Sequence, residues 1–213
     1  MKAAERPAPV TAYRRSGRPL RVALLGFGTV GRSVARILSD GLHPELALSS
    51  VFSRHIAAKR VDWLPDGVVR TEAIEDVFAS DADAVVEVVG GREPARSWIA
   101  RALEQGRAVV TANKQVVAHH GPELFEIANA AGAPFLFEAA VGGGIPIVRA
   151  LETGLAGDDL QAVTGILNGT CNYILTRMEI SGAPLAEALE EAQRQGYAEA
   201  DPTDDLDGAD AAA

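Results

Sequence analysis

The sequence predicts an α/β chain built on a doubly wound parallel sheet, and three observations carry that prediction. Short apolar runs of β type alternate with stretches of helical periodicity over residues 21–144. Residues 84–89 (AVVEVV) form a nearly continuous apolar run, as a strand covered on both faces must. The first run, Val22 to Leu25, passes directly into three glycines, Gly26, Gly28 and Gly31, and then into a helix. After residue 144 the alternation of elements continues over residues 145–213.

Residues 21–35 read RVALLGFGTVGRSVA. The spacing G-x-G-x-x-G between a strand and a helix is that of a Rossmann-type dinucleotide-binding turn. Gly26 permits the sharp turn, Gly28 lets main chain approach a pyrophosphate with no Cβ in the way, and Gly31 lets the helix pack close to the strand. The N–H groups of the helix's first turn then face the phosphates. Val30, Val34, Ile37 and Leu38 follow at helical spacing, and Gly41 ends the helix. A glycine-rich turn without a ligand is the alternative; the strand before and the helix after disfavour it.

Residues 46–52 (LALSSVF) read as the second strand. An acid just after it would bond the ribose 2′-hydroxyl of NAD. Here Ser53 and Arg54 stand in that place, followed by Lys59 and Arg60. A guanidinium and an ammonium suit a 2′-phosphate, so NADP is expected over NAD. Basic residues that are merely solvated are the alternative.

A strand at 68–70 and a helix at 72–79 precede the apolar strand, which ends in Gly90 and Gly91, where main chain can lie close to a ligand. A helix follows at 93–105, with Pro94 in its first turn and Gly106 as its stop. The strand 108–110 delivers Thr111-Ala112-Asn113-Lys114 to its carboxyl end, where ligands of open α/β sheets bind, so Lys114 is a candidate site residue. A helix at 122–131 and a strand at 135–138 lead to AAVGGGIP. Glu138 beside this glycine run has two readings: with neighbouring carbonyls it makes an all-oxygen pocket for a hard cation, or it is a hydrogen-bonded carboxylate at a turn. The remaining pattern predicts a helix at 145–155, a strand at 160–167, a helix from Asn168 to about 179 and another at 184–195 stopped by Gly196. Three alanines at the end read as the start of a further helix.

Composition narrows the function. Of 213 residues 47% are hydrophobic, enough for a substantial core. With 20 Lys and Arg against 29 Asp and Glu the net charge is −9, which gives no general attraction for nucleic acid. Cys171 is the one cysteine, so neither a disulfide framework nor a thiolate zinc site can form within the chain, and a reducing, cytoplasmic compartment fits. No uncharged apolar run approaches the length of a membrane span. Residues 1–20 are basic and broken by Pro7, Pro9 and Pro19, which argues against an amphipathic transit helix and for a disordered arm. His119 and His120 are adjacent, point about 100° apart on a helix and cannot share a metal, so both are read as surface or loop residues. The acidic run after Gly196 lacks the spacing of an EF-hand: counted from Asp205, Ala209 and Asp210 break it.

Several segments together resemble one family, homoserine dehydrogenase. They are ALLGFGTVG, TANK at 111–114, EAAVGGGIPI at 138–147, GILNGTCNYILTRM at 165–178 and GYAEADPTDDLDGADAA from Gly196. Cys171 stands where threonine or serine is common in such proteins. The resemblance implies NAD(P)-dependent interconversion of L-homoserine and L-aspartate 4-semialdehyde, on the route to threonine and methionine, by a homodimer. It implies a Rossmann-type NAD(P)-binding domain over residues 21–144 followed by the first part of an incomplete α+β substrate domain over 145–213. Phe27, Thr29, Val30, Arg54 and Gly196 would then serve the cofactor, beside Gly26, Gly28 and Gly31 of the glycine turn and Gly90 at its strand end, with Thr111 and Lys114 beside the nicotinamide and substrate. Glu138, Val141, Gly143 and Ile145 match a sodium site, the first through its carboxylate and the others through carbonyls. Glu199, Asp205 and Asp210 match acids that hold the amino acid. In the family a lysine lies four residues beyond the aspartate matched by Asp210, past the last residue, Ala213. The expectation is therefore a fragment or truncated product that binds cofactor better than it turns over. Another dehydrogenase of amino or aldehyde acids, such as an aspartate dehydrogenase, and a catalytically impaired cofactor-binding module are the competing readings.

Overall fold

In the computed structural model, residues 17–59 and 61–212 are described. The expected disordered arm falls mostly outside them, as does Arg60. They divide into two compact units, one running to Arg149 and the other starting at Ala150.

The first unit is the predicted sheet. In chain order it contains β1 (Leu20–Leu25), α1 (Thr29–Ser39), β2 (Leu46–Phe52), β3 (Val69–Thr71), α2 (Ile74–Ala79), β4 (Ala84–Glu87), α3 (Ala95–Glu104), β5 (Ala108–Thr111), α4 (Lys114–Ala131), β6 (Phe135–Leu136) and the short α5 (Ile147–Arg149). The six strands lie in the order β3-β2-β1-β4-β5-β6, and every pairing is parallel. Strand order reverses between β1 and its two neighbours, which opens a crevice at the carboxyl ends of β1 and β4.

Two-residue alternation along the strands, with a one-residue bulge in β2 between Leu48 and Ser50, explains how both faces are covered. Ala23, Leu25, Phe52, Val85 and Val109 join the helices α2, α3 and α4 in one core, through Val77, Ile99, Leu103, Val116 and Leu124. Leu24, Leu48 and Val51 face a second core with Phe27, Ala35, Ile56, Leu64 and Val68. Each fully buried Leu, Ile or Phe contributes about 1.5–3 kcal/mol, so this double layer holds the strand ends rigid.

Helix ends follow local chemistry. Asn113 caps α4, its side chain accepting from Val116 N–H at 3.2 Å, and Gly132 closes the helix at φ 63°. Arg107 is half-buried and donates to the carbonyls of Val77, Phe78 and Ser80 at 2.8, 2.9 and 2.7 Å, closing the end of α2.

Three expectations over residues 114–155 need correction. The helix expected from 122 starts at Lys114, with Pro122 inside it, because the Asn113 cap and the buried stripe Val116, Leu124 and Ala128 outweigh the one missing N–H. His119 and His120 therefore sit on that helix. The strand expected at 135–138 ends at Leu136, and Glu138 begins a 3₁₀ turn. The helix expected at 145–155 is replaced by α5 and a π-type turn, Ala150–Gly154.

In the second unit α6 (Gly169–Ser181) and α7 (Leu185–Gln195) are followed by two short helices, α8 (Thr203–Leu206) and α9 (Ala209–Ala212). A small core of Ile174, Ala188, Ala192 and Ala198 joins α6 to α7, with Tyr173, Met178 and Leu189 beside it. Arg177 Nε donates to Glu191 at 2.7 Å and the Tyr173 hydroxyl to the same carboxylate at 3.2 Å. The strand expected at 160–167 is not formed. Leu160, Val163, Ile166 and Leu167 are exposed on extended chain, and apolar periodicity makes a strand only where a neighbouring strand is present to pair with it.

Candidate functional site

The glycine turn after β1 has the geometry its spacing predicts. Gly26 takes φ 107°, and a Cβ there would lie 2.7 Å from the Val88 carbonyl oxygen. A Cβ at Gly31 would lie 2.2 Å from the carbonyl oxygen of Gly26. Gly28 differs: it is exposed, its φ of −87° suits any residue, and a Cβ would meet no heavy atom within 4 Å. Nothing in the described fold requires a glycine there, and the space above it is open. Gly28 is also the N-cap of α1 and has no side chain to offer, which leaves the helix's first N–H groups facing outward beside the exposed Thr29 and Val30. Phe27 behaves otherwise: 1% exposed, its ring packs near Trp63 at 6.3 Å, so only its main chain belongs to the turn.

At the end of β2, Ser53 is buried and receives a hydrogen bond from Lys59 Nζ at 2.9 Å. Arg54 is exposed beside them. The Lys59 and Arg54 side chains both carry the charge that an anion takes.

At the carboxyl ends of β4 and β5 lies a group that sequence reading missed. Glu87 is 0% exposed, in register with Leu25 of β1 and Thr111 of β5. Thr111 Oγ1 donates to its Oε2 at 2.6 Å, while Val89 and Gly90 N–H donate to Oε1 at 2.7 and 3.3 Å. The Thr111 hydroxyl in turn accepts from Asn113 N–H at 3.0 Å, and Asn113 Nδ2 donates to the Gly91 carbonyl at 2.7 Å. Thr111 is thus wholly buried framework, and Lys114, half-buried, follows it as the first residue of α4. The signal was visible: a carboxylate inside the apolar run AVVEVV has to be hydrogen-bonded from several sides.

Glu138 has both oxygens engaged, Oε1 by Val148 N–H at 3.0 Å and Oε2 by Arg149 N–H at 2.8 Å. The Ile145 carbonyl accepts from Ile147 N–H at 2.8 Å. Val141 and Gly143 lie on the intervening turn, whose Gly142, Gly143 and Gly144 take φ 67°, 40° and 91°. Glu138 is hydrogen-bonded at this turn, and each of its oxygens keeps a further lone pair. Among the described residues no three His, Cys, Asp or Glu side chains gather as a metal cluster.

In the second unit a cleft of about 730 Å³ is lined by Asn168, Thr170, Tyr173, Gly196, Asp205 and Asp210, among others. Asn168 links its two acids: Nδ2 donates to Asp205 Oδ1 at 2.6 Å and to Asp210 Oδ2 at 3.0 Å, while Oδ1 caps α6 by accepting from Cys171 N–H at 2.7 Å. Two carboxylates on one rim favour a cationic group. Glu199 is exposed outside that lining, its main-chain carbonyl accepting from Gln193.

A family model for the homoserine dehydrogenase NAD-binding domain matches residues 26–138, and one for homoserine dehydrogenase matches residues 146–213. The chain belongs to the homoserine dehydrogenase family. Homoserine dehydrogenase of Synechocystis is 46% identical over 198 residues, covering 91% of this chain and 46% of that protein. That of Corynebacterium glutamicum is 47% identical over 203 residues, covering 92% and 45%. The crystal structure of a homoserine dehydrogenase from Thiobacillus denitrificans superposes with a TM-score of 0.80 at 43% identity, over 91% of this chain and 46% of that one. A hyperthermophilic archaeal homoserine dehydrogenase in complex with NADPH gives a TM-score of 0.77 at 30% identity, over 91% and 66%. The chain spans about half the length of the curated homoserine dehydrogenases it matches. No described helix is long and apolar enough to cross a membrane.

Proposed function

We propose that this chain binds NADP in its first unit and belongs to an enzyme that interconverts L-homoserine and L-aspartate 4-semialdehyde. The observation that carries the reading is Gly28: the turn needs no glycine there for its own packing, yet leaves open space at the uncapped start of α1. Family membership and the NADPH complex of an archaeal relative support it. Arg54 and Lys59 take the 2′-phosphate, which favours NADP over NAD.

Nicotinamide supplies or accepts the hydride when it is bound. Everything else falls to side chains. The Lys114 ammonium stabilises the alkoxide that develops as the aldehyde is reduced and holds a proton for it. Asp205 and Asp210, kept side by side by Asn168, take the α-ammonium of the amino acid, with Glu199 as a further acid. One carboxylate and three carbonyls, from Glu138, Val141, Gly143 and Ile145, have the chemistry a sodium ion takes. Both Glu138 oxygens and the Ile145 carbonyl also accept from main-chain N–H groups, and each keeps a lone pair for an ion. A place on the route to threonine and methionine, in the cytoplasm and as a homodimer, accords with the family.

The test is calorimetric titration of this chain with NADPH and NADH, alongside homoserine oxidation followed by NADPH absorbance. Binding with NADPH preferred is the expected result. A chain that binds neither nucleotide overturns the reading.

A further inference from the structure

We propose that Glu87 is the positioning residue for the nicotinamide end of the cofactor site, holding the loop after β4 and the loop after β5 in one frame and thereby fixing where Lys114 stands. The inference rests on the dinucleotide reading above. It adds a role for a residue that lies deep in the sheet.

Burial of a carboxylate costs several kcal/mol unless donors surround it. Stability alone does not call for one at this position, since an apolar residue of similar volume would serve β4 equally well or better. What an apolar residue cannot do is tie the loop after β4 and the end of β5 to one point. Glu87 Oε1 collects the N–H groups of Val89 and Gly90, and Oε2 collects the Thr111 hydroxyl. Thr111 passes the constraint to Asn113 through its N–H, and Asn113 returns it to the first loop through the Gly91 carbonyl. Asn113 is also the cap of α4, so the closed circuit sets the start of that helix and with it Lys114. The same strand end adjoins the phosphate turn. Val88 N–H donates to the Leu25 carbonyl at 2.9 Å, and the Val88 carbonyl is what a side chain at Gly26 would strike.

Thr111 and Glu87 are both fully buried, so neither side chain presents itself to a ligand. Their effect must travel through the shape of the two loops.

The experiment compares two probes on the whole chain. NADPH spans the entire site, whereas adenosine 2′,5′-bisphosphate occupies only the adenosine half. Glu87→Gln keeps an acceptor for the Val89 and Gly90 N–H groups but removes the charge and puts an amide donor where the Thr111 hydroxyl now donates, so that the hydroxyl must turn to accept. The expected result is roughly tenfold weaker NADPH binding, the scale of one lost charge-assisted hydrogen bond, with the bisphosphate held within about twofold. The enhanced nicotinamide fluorescence of bound NADPH should fall in parallel. Thr111→Val removes only the hydroxyl, and should show the same selective loss to a smaller degree. It decides the matter if Glu87→Gln does not fold. Equal weakening of both probes would mean a general structural role and overturn the proposal, as would no change in either. Failure of the parent chain to bind either probe would instead overturn the dinucleotide reading itself.

Discussion

A methyl group at Gly31 would lie 2.2 Å from the carbonyl oxygen of Gly26, a contact that only movement of main chain could relieve. Gly31→Ala should therefore destabilise the first unit by about 2 kcal/mol, the cost of forcing extra volume into packed structure. Gly28→Ala should leave stability within about 0.5 kcal/mol, since the added methyl meets nothing and the backbone is extended, yet weaken NADPH roughly tenfold. Urea denaturation and calorimetry on the two variants separate the effects. A Gly28→Ala chain that binds NADPH like the parent would place the pyrophosphate elsewhere.

Selection of the cofactor should reside at the end of β2. Arg54→Asp and Lys59→Met are each expected to weaken NADPH about tenfold while changing NADH less than twofold, because only the 2′-phosphate differs between them. Equal loss for both nucleotides would show that these cations do not read the phosphate.

Arg107 should matter to stability rather than to binding. Its guanidinium closes the carbonyl end of α2 through three main-chain oxygens, and burial pushes its pKa down without discharging it. Arg107→Met should cost about 2–3 kcal/mol in urea unfolding, with Arg107→Lys recovering only part, since an ammonium cannot spread over three carbonyls as a planar fork does.

Acid sensitivity should show at Asp83. The Arg18 guanidinium, bonded to it at 2.7 Å through both nitrogens, holds the Asp83 carboxyl below the usual carboxylate range, and Arg21 N–H adds to this. A lowered folded pKa means the contribution is complete above the unfolded value, near pH 4, and is lost as pH falls through the folded one. The pair is largely solvent-exposed, so Asp83→Asn should remove less than about 1 kcal/mol at neutral pH and reduce the acid slope of the urea midpoint below about pH 4.

Asn168 links the acids of the second unit. Asn168→Asp keeps an oxygen to cap α6 but replaces the donor between Asp205 and Asp210 with a third carboxylate. Thermal unfolding should show a loss at low ionic strength that shrinks in about 1 M salt, as screening relieves the repulsion. A loss of the same size at both ionic strengths would mean that charge is not the cause.

Much of the first unit was legible in residues 21–144 because strands buried on both faces write themselves as apolar runs, and glycines mark turns that no other residue can make. Gly31 and Gly26 are examples, each excluded from bearing a side chain by a specific oxygen. The boundaries of α4 were not legible, since Pro122 suggests a helix start while the true start is set by the Asn113 cap and by packing eight residues earlier. Glu87 was passed over because periodicity counts it as an interruption, whereas its meaning depends on donors brought from β5, 24 residues further on. At the second site the resemblance brought Asp205 and Asp210 together, and the structure added their shared partner Asn168, which capping chemistry alone would have placed only at the start of α6.

The extended stretch at 160–167 has a practical consequence. Val163, Ile166 and Leu167 are 66%, 75% and 77% exposed on chain whose main-chain groups form no ladder among the described residues. Such a segment is the template from which intermolecular β-pairing and aggregation begin. For this stretch of 213 residues taken alone, a lysine in place of Val163 is the natural gatekeeper against such pairing.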